Sequence, residues 1–136
     1  SEDGQGFWSG DMGKLRHIAF IVEDPDASAR FFASAFGMER IADIPYGCHM
    51  SDGVISIALL RQDHADERIG IDHFGVWVND LEAAQHRAVA AGAEPLPARP
   101  VQDHEFYEAK FRTADGIVFD LSETGWPGAR RGADND

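Results

Sequence analysis

Two histidines, His17 and His73, hold equivalent places in two similar stretches of the chain. The first lies in LRHIAFIVED and the second in IDHFGVWVND. Neutral imidazole is a common protein ligand for Fe, Ni, Zn and Mn. If the two stretches fold alike and pack with pseudo-twofold symmetry, the imidazoles converge and predict one shared divalent metal site. The alternative is two independent polar residues on two strands.

A carboxylate is expected to complete such a site, and Asp120 is the first candidate. It is a charged residue between apolar neighbours in FDL, on a strand whose side chains alternate between two faces. A buried charge is costly unless it is paired or bound to a metal. The alternative is an ion pair of Asp120 with Lys110 or Arg112 on the preceding strand. Glu108 and Glu123 are the fallback carboxylate ligands.

Three residues are candidates for catalysis: Glu108, His49 and Lys110. Glu108 and Lys110 alternate on one strand, so they share a face, and it can be the face of Asp120. Lys110 there can bind an anionic substrate or stabilise a developing oxyanion, or it can form a salt bridge only. His49 can act as a base, a substrate contact or a further ligand, or it can be a surface residue.

The elements that must position these residues follow the same order in both stretches. A strand of alternating apolar residues is followed by Asp24 or Asp80, each placed as a helix N-cap. A helix then runs to Gly37 or Gly92, and further strands follow, the last two joined at an Asp-Gly turn. The order β-α-β-β-β occurs twice and predicts an α+β fold built from two βαβββ modules.

These modules predict one domain over residues 14–126, with module 1 over 14–60 and module 2 over 71–126. The stretches outside it are polar and rich in glycine. We expect residues 1–13 to be a flexible arm and residues 127–136 a flexible tail.

Composition limits the classes of partner. The 136 residues contain 12 Lys and Arg against 24 Asp and Glu, a formal net charge of −12. A field of that sign repels nucleic acid and anionic membrane surfaces. The single cysteine, Cys48, forms no internal disulfide, and no signal pattern or membrane-length apolar run is present. The sequence therefore predicts a cytoplasmic protein that binds a small molecule, and a homodimer is a further expectation.

Taken together, these residues resemble the vicinal oxygen chelate superfamily. The resemblance is carried by LRHIAFIVEDPDASARFFASAFGM, DHFGVWVNDLEAAQHRAVAAGAEP and FYEAKFRTADGIVFDLSE. This superfamily includes glyoxalases, epimerases, extradiol dioxygenases and bleomycin-binding proteins. The resemblance implies that the paired modules form a curved mixed sheet around a cleft with one divalent metal.

The family pattern implies roles for individual residues. His17 and His73 match its histidine ligands, and Asp120 stands where a glutamate ligand is usual. Ile57 stands where glyoxalases and epimerases often carry a fourth ligand that doubles as the base. Lys110 stands where extradiol dioxygenases have a tyrosine.

The lead interpretation is a metal-dependent enzyme of the glyoxalase type, a lyase or isomerase. Its substrate chelates one divalent ion (Fe, Ni, Zn or Mn) through two adjacent oxygens, with Glu108 or His49 moving a proton. One alternative is an Fe(II) dioxygenase of the extradiol type, since two histidines and a carboxylate suit non-haem iron. The other is a small-molecule binding protein without turnover.

Overall fold

The computed structural model describes residues 13–97 and 108–132, and over these residues the chain forms eight strands and two helices. Module 1 contributes β1 (Lys14–Val22), α1 (Pro25–Phe36), β2 (Glu39–Ile44), β3 (Gly47–Ser51) and β4 (Ser56–Arg61). Module 2 contributes β5 (Gly70–Trp77), α2 (Leu81–Ala90), β6 (Glu94–Pro95), β7 (Ala109–Arg112) and β8 (Val118–Ser122). The predicted β-α-β-β-β order is therefore confirmed in both halves.

All eight described strands belong to one mixed sheet, in the order β2-β3-β4-β1-β5-β8-β7-β6. In each module the first strand pairs in parallel with the last one, β1 with β4 and β5 with β8. The modules join where β1 and β5 pair in antiparallel fashion. The two first strands, which carry His17 and His73, are thus central neighbours.

Each helix covers its own module on one face of the sheet. Beneath α1 lies a buried cluster of Ala29, Cys48, Met50, Ile57 and Leu59. Beneath α2 lies a second cluster, made of Val78, Leu81, Ala84, Ala109, Phe111 and Leu121. Because strand side chains alternate, their sequence neighbours point to the opposite face, which we call the inner face.

The helix ends follow the sequence signals. The Asp24 carboxylate accepts hydrogen bonds from the backbone N–H groups of Asp26 and Ala27, at 3.0 and 3.2 Å. The Asp80 carboxylate accepts one from Ala83 N at 3.1 Å. Helix α1 ends at Gly37 in the left-handed conformation, at φ 71°. Neither described helix is long and apolar enough to cross a membrane.

The C-terminal boundary differs from the sequence expectation. Residues 127–132, expected to be part of a loose tail, are hydrogen-bonded to module 1. Ser51 Oγ donates to Gly128 O at 2.7 Å, and Arg130 N donates to Val54 O at 3.0 Å. Composition does not predict these contacts, because the segment makes them through backbone atoms, which any residue type supplies. Residues 1–12 of the expected arm and residues 133–136 of the tail lie outside the described residues.

The N-caps give a test of the fold. We expect Asp24→Ala and Asp80→Ala each to lower the free energy of unfolding by about 1 kcal/mol, because each leaves helical N–H groups without an acceptor. Asp24→Asn and Asp80→Asn are the matched controls, since asparagine also caps helices. Urea unfolding measures all four variants. Equal losses for alanine and asparagine would show that the charge, and not the cap, is what matters.

Candidate functional site

Three histidines converge on the inner face: His17 and His49 from module 1, and His73 from module 2. The ring centroid of His17 on β1 lies 5.5 Å from that of His73 on β5 and 6.2 Å from that of His49 on β3. The antiparallel register places His17 opposite Gly75 and His73 opposite Ala19. The two histidines are therefore diagonal neighbours across the module junction, at the separation at which cross-strand side chains interact.

Asp120 on β8 adds a carboxylate that is completely buried. Its Oδ1 lies 2.6 Å from Lys110 Nζ, directly across the β7–β8 ladder. Its Oδ2 lies 3.1 Å from His73 Nε2, without the alignment of a hydrogen bond. On its other side the His73 ring contacts Asp72, with Nδ1 2.8 Å from Oδ2. Three residues predicted for the site, His73, Asp120 and Lys110, thus form one continuous chain of polar contacts.

The charges in this chain stabilise one another. Burial by itself raises the pKa of Asp120, but His73 and Lys110 outweigh it, so the pKa lies below its ordinary value. Burial lowers the pKa of His73, but the adjacent Asp120 carboxylate outweighs that, so the net shift is upward. Both shifts favour an ionised carboxylate beside cationic partners.

His17 is in a different electrostatic state. Its ring is 3% exposed, and burial, together with the neighbouring His73 and His49, lowers its pKa to about 3. Burial also lowers the pKa of His49, whose Nδ1 lies 3.4 Å from Ser56 Oγ. Both rings are therefore neutral at neutral pH, the form in which imidazole binds a metal or accepts a proton.

Glu108 and Trp126 close the site on the side of module 2. The Trp126 indole N–H donates to Glu108 Oε2. The indole is stacked on His17, with ring centroids 4.7 Å apart and planes 7° from parallel. Burial, followed by the negative charge of Asp120, raises the pKa of Glu108. The indole fits only because Gly75 beneath it lacks a side chain, since a Cβ there would lie 2.6 Å from Trp126 Cζ2.

Two expectations about individual positions need correction. Ile57, expected at the place of a fourth ligand, packs under α1 with Met50, and Ser56 takes the inner-face position opposite His17. The expectation for Ile57 counted residues from the turn glycine and assumed that the two hairpins have equal lengths. A difference of one residue in that length turns a strand residue to the opposite face of the sheet. Glu123 lies at the start of α2, where Oε1 accepts from Leu81 N at 3.0 Å. It serves there as a helix cap.

Sequence reasoning missed Ser56 and Trp126 as members of the site. The alternation of β4 could have identified Ser56, because Ile57 and Leu59 clearly belong to the apolar face. No sequence pattern predicts Trp126 as a site residue. It follows the last strand, and it reaches the site only because of the path that the C-terminal segment takes.

The side chains of the site can be compared with the ligands that a divalent metal ion prefers. Within residues 13–97 and 108–132, no three His, Cys, Asp or Glu side chains are already arranged to hold a metal. However, His17 Nδ1 and Asp120 Oδ2 are buried without a hydrogen-bond partner. An unsatisfied buried polar atom costs about 1–3 kcal/mol, and both atoms are ordinary ligands of first-row divalent ions. The residues fit such an ion in chemical type, provided that Asp120 is released from its present partners.

Comparison with known proteins agrees with this fold. The sequence model of the Glyoxalase/Bleomycin resistance protein/Dioxygenase superfamily matches residues 14–121. A probable lactoylglutathione lyase, chloroplastic, of Arabidopsis thaliana is 28% identical over 129 residues. That match covers 85% of this chain but only 37% of the plant protein, so the chain spans little more than a third of its relative.

Solved structures show the same fold at low sequence identity. Methylmalonyl-CoA epimerase from Mycobacterium tuberculosis superposes with a TM-score of 0.66 at 21% identity, covering 84% of this chain and 89% of the epimerase. The Mn(II)-bound glyoxalase from Novosphingobium aromaticivorans superposes with a TM-score of 0.63 at 22% identity, covering 91% of this chain and 44% of the glyoxalase. Both matches support the fold described above.

The contact between Gly75 and Trp126 gives a test of the site geometry. We expect Gly75→Ala to lower the free energy of unfolding by about 1–3 kcal/mol, because the new methyl group overlaps the indole. Trp126→Phe shortens the aromatic side chain, so the same glycine substitution should cost less in that background. Urea unfolding of the two single variants and the double variant measures this coupling. An identical cost of Gly75→Ala in both backgrounds would place the indole elsewhere.

Proposed function

Because the chain belongs to the Glyoxalase/Bleomycin resistance protein/Dioxygenase superfamily, we propose that it is a metal-dependent lyase or isomerase. Its substrate is a small molecule with two adjacent oxygen atoms. The observation that carries the proposal is the group of buried His17 and Asp120 with the half-buried His73, in which two atoms able to bind a metal, His17 Nδ1 and Asp120 Oδ2, have no hydrogen-bond partner. Relatives named as a lyase and an epimerase support the reaction type.

In this proposal His17, His73 and Asp120 hold one divalent ion. When bound, the ion supplies Lewis-acid polarisation of the substrate oxygens, which makes an adjacent C–H group more acidic. The neutral state of His17 favours this role, because only an unprotonated imidazole nitrogen is a ligand. Iron, nickel, zinc and manganese all suit nitrogen and carboxylate ligands.

The residues proposed to transfer protons lie on either side of the central β1–β5 strand pair. Glu108 precedes β7 on the module 2 side, and His49 lies on β3 on the module 1 side. Glu108 is the lead base, because burial and the nearby charge of Asp120 raise its pKa and make the carboxylate more basic. His49, with its neutral ring, is the second candidate. Two such groups can remove a proton at one position and return it at another, as isomerisation requires.

Lys110 is proposed to bind an anionic group of the substrate. It retains 28% side-chain exposure while its ammonium contacts the buried Asp120. With an ion held by Asp120, the carboxylate charge would be shared between the ion and the Lys110 ammonium. Lys110 would then be able to bind a negatively charged group of the substrate and compensate its charge.

A second candidate function is binding of a small molecule without a metal. The observation that favours it is the same ion pair, because Lys110 already pairs with Asp120 through a cation of the chain itself, and His73 lies against the other carboxylate oxygen. An extradiol dioxygenase is the remaining alternative from the sequence. Bound iron together with substrate-dependent oxygen consumption would favour that reaction over lyase or isomerase chemistry.

Metal content tests the proposed site directly. We expect the wild-type protein to bind one equivalent of Zn²⁺, Ni²⁺, Mn²⁺ or Fe²⁺ in titration calorimetry. His17→Ala, His73→Ala and Asp120→Asn should each abolish most of this binding, because each removes one ligand. Glu123→Gln is the matched control and should bind normally, since Glu123 caps α2. A wild-type protein that binds none of the four ions would favour the metal-free binding function.

Lys110→Met tests the role of the ammonium. We expect metal affinity to rise about tenfold, because a unit charge a few ångströms away opposes a cation by on the order of 1 to 4 kcal/mol. Affinity of the loaded protein for oxalate, a dianion with adjacent oxygens, should fall. The matched control is Arg112→Met, since Arg112 shares the strand but pairs with the exposed Glu94. Affinities are compared on protein shown to be folded by circular dichroism, and unchanged values for both ligands would refute the role.

A further inference from the structure

Trp126 occupies an unusual place for a residue outside the regular elements. It follows the last described strand, yet its side chain is 5% exposed and lies against His17 at the centre of the sheet. The roles proposed above for the site use the residues on both sides of this indole but assign nothing to the indole itself.

The segment that carries Trp126 is fixed at both ends. Before it, Ser122 Oγ accepts a hydrogen bond from Gly125 N at 3.0 Å. After it, Ala129 N donates to Trp126 O, Ser51 Oγ donates to Gly128 O, and Arg130 N donates to Val54 O. The segment therefore crosses from β8 of module 2 to the β3–β4 hairpin of module 1. This course carries the indole over the inner face.

The two contacts of the indole join two residues of different function. Its N–H donates to Glu108, which satisfies the polar end of a buried tryptophan. Its ring plane lies 7° from the plane of His17, so the imidazole has little freedom to rotate about its Cβ–Cγ bond. His17 Nδ1 has no hydrogen-bond partner that would fix the ring through that atom. Ligand histidines are normally held in orientation by neighbours of this kind.

We propose that Trp126 is a positioning residue of the site: anchored by Glu108, its indole holds the imidazole of His17, a proposed metal ligand, in one orientation. The inference rests on the proposed function where it concerns the metal. It gives Glu108 a second role, that of a hydrogen-bond acceptor for the indole, which requires an oxygen at that position but no negative charge.

Conservative and non-conservative variants of Glu108, together with a variant of Trp126, test the inference. Glu108→Gln removes the negative charge but keeps a side-chain oxygen for the indole N–H, so its loss of Zn²⁺ affinity should be no more than the roughly tenfold effect of one nearby charge. Glu108→Leu removes the acceptor, and Trp126→Leu removes the stacked ring. Zn²⁺ binding should weaken by about 10- to 100-fold in Glu108→Leu relative to Glu108→Gln, and by a similar factor in Trp126→Leu relative to wild type, the range seen when a group that orients a ligand is lost. Trp77→Phe is the control for loss of an indole, because Trp77 hydrogen-bonds to the backbone of Glu123 instead.

A purely structural role is separated by comparing affinity with stability. Such a role predicts a lower free energy of unfolding in the leucine variants, with the Zn²⁺ affinity of the folded protein unchanged, and that result would overturn the inference. So would equal losses of affinity in Glu108→Gln and Glu108→Leu.

A readout without metal keeps the inference separate from the proposed function. In NMR spectra of the metal-free protein, the ring current of Trp126 should shift the His17 ring protons upfield. The shift should persist in Glu108→Gln and collapse in Glu108→Leu. If wild type binds no Zn²⁺ but shows this pattern, the proposed function fails while the positioning of His17 stands. The same shift in both variants would refute the anchoring role of Glu108.

Discussion

The antiparallel pairing of β1 with β5 is the interaction on which the rest of the structure depends. It joins two modules that each have their own helix and apolar cluster. It also fixes the diagonal placement of His17 and His73, because backbone hydrogen bonds set the register of the two strands. A change of register by one residue would turn one histidine toward its helix. The stability of the sheet and the geometry of the site are thus determined by the same ladder.

The buried charge of Asp120 is the second constraint. A completely buried carboxylate is tolerated only with compensating charges, and the chain supplies these from His73 and Lys110. The same cationic groups lie where a bound ion would act. The chain therefore compensates the charge of Asp120 without a metal. A metal ion that binds there would compete with Lys110 for the Asp120 carboxylate.

The inner face also shows how a loop can complete a site built on strands. The strands provide His17, His49, His73, Lys110 and Asp120 by simple alternation. The C-terminal segment then adds Trp126, which covers His17 and contacts Glu108. Gly75 makes room for the indole on the central strand. An absent side chain at one position and a large side chain at another are therefore parts of one packing arrangement.

Local signals in the sequence determined the order of elements, the caps at Asp24 and Asp80, and the division of strand residues between two faces. These features depend on neighbours close along the chain, which is why periodicity and turn residues were sufficient to predict them. The internal repeat was enough to predict that His17 and His73 meet. Only the tertiary structure decided that Ser56 and not Ile57 faces the site, because a difference of one residue between hairpins reverses a strand. It alone decided that Glu123 caps α2 and that Trp126 reaches His17, because both contacts join segments far apart in sequence, and no local pattern specifies how a loop crosses the folded sheet.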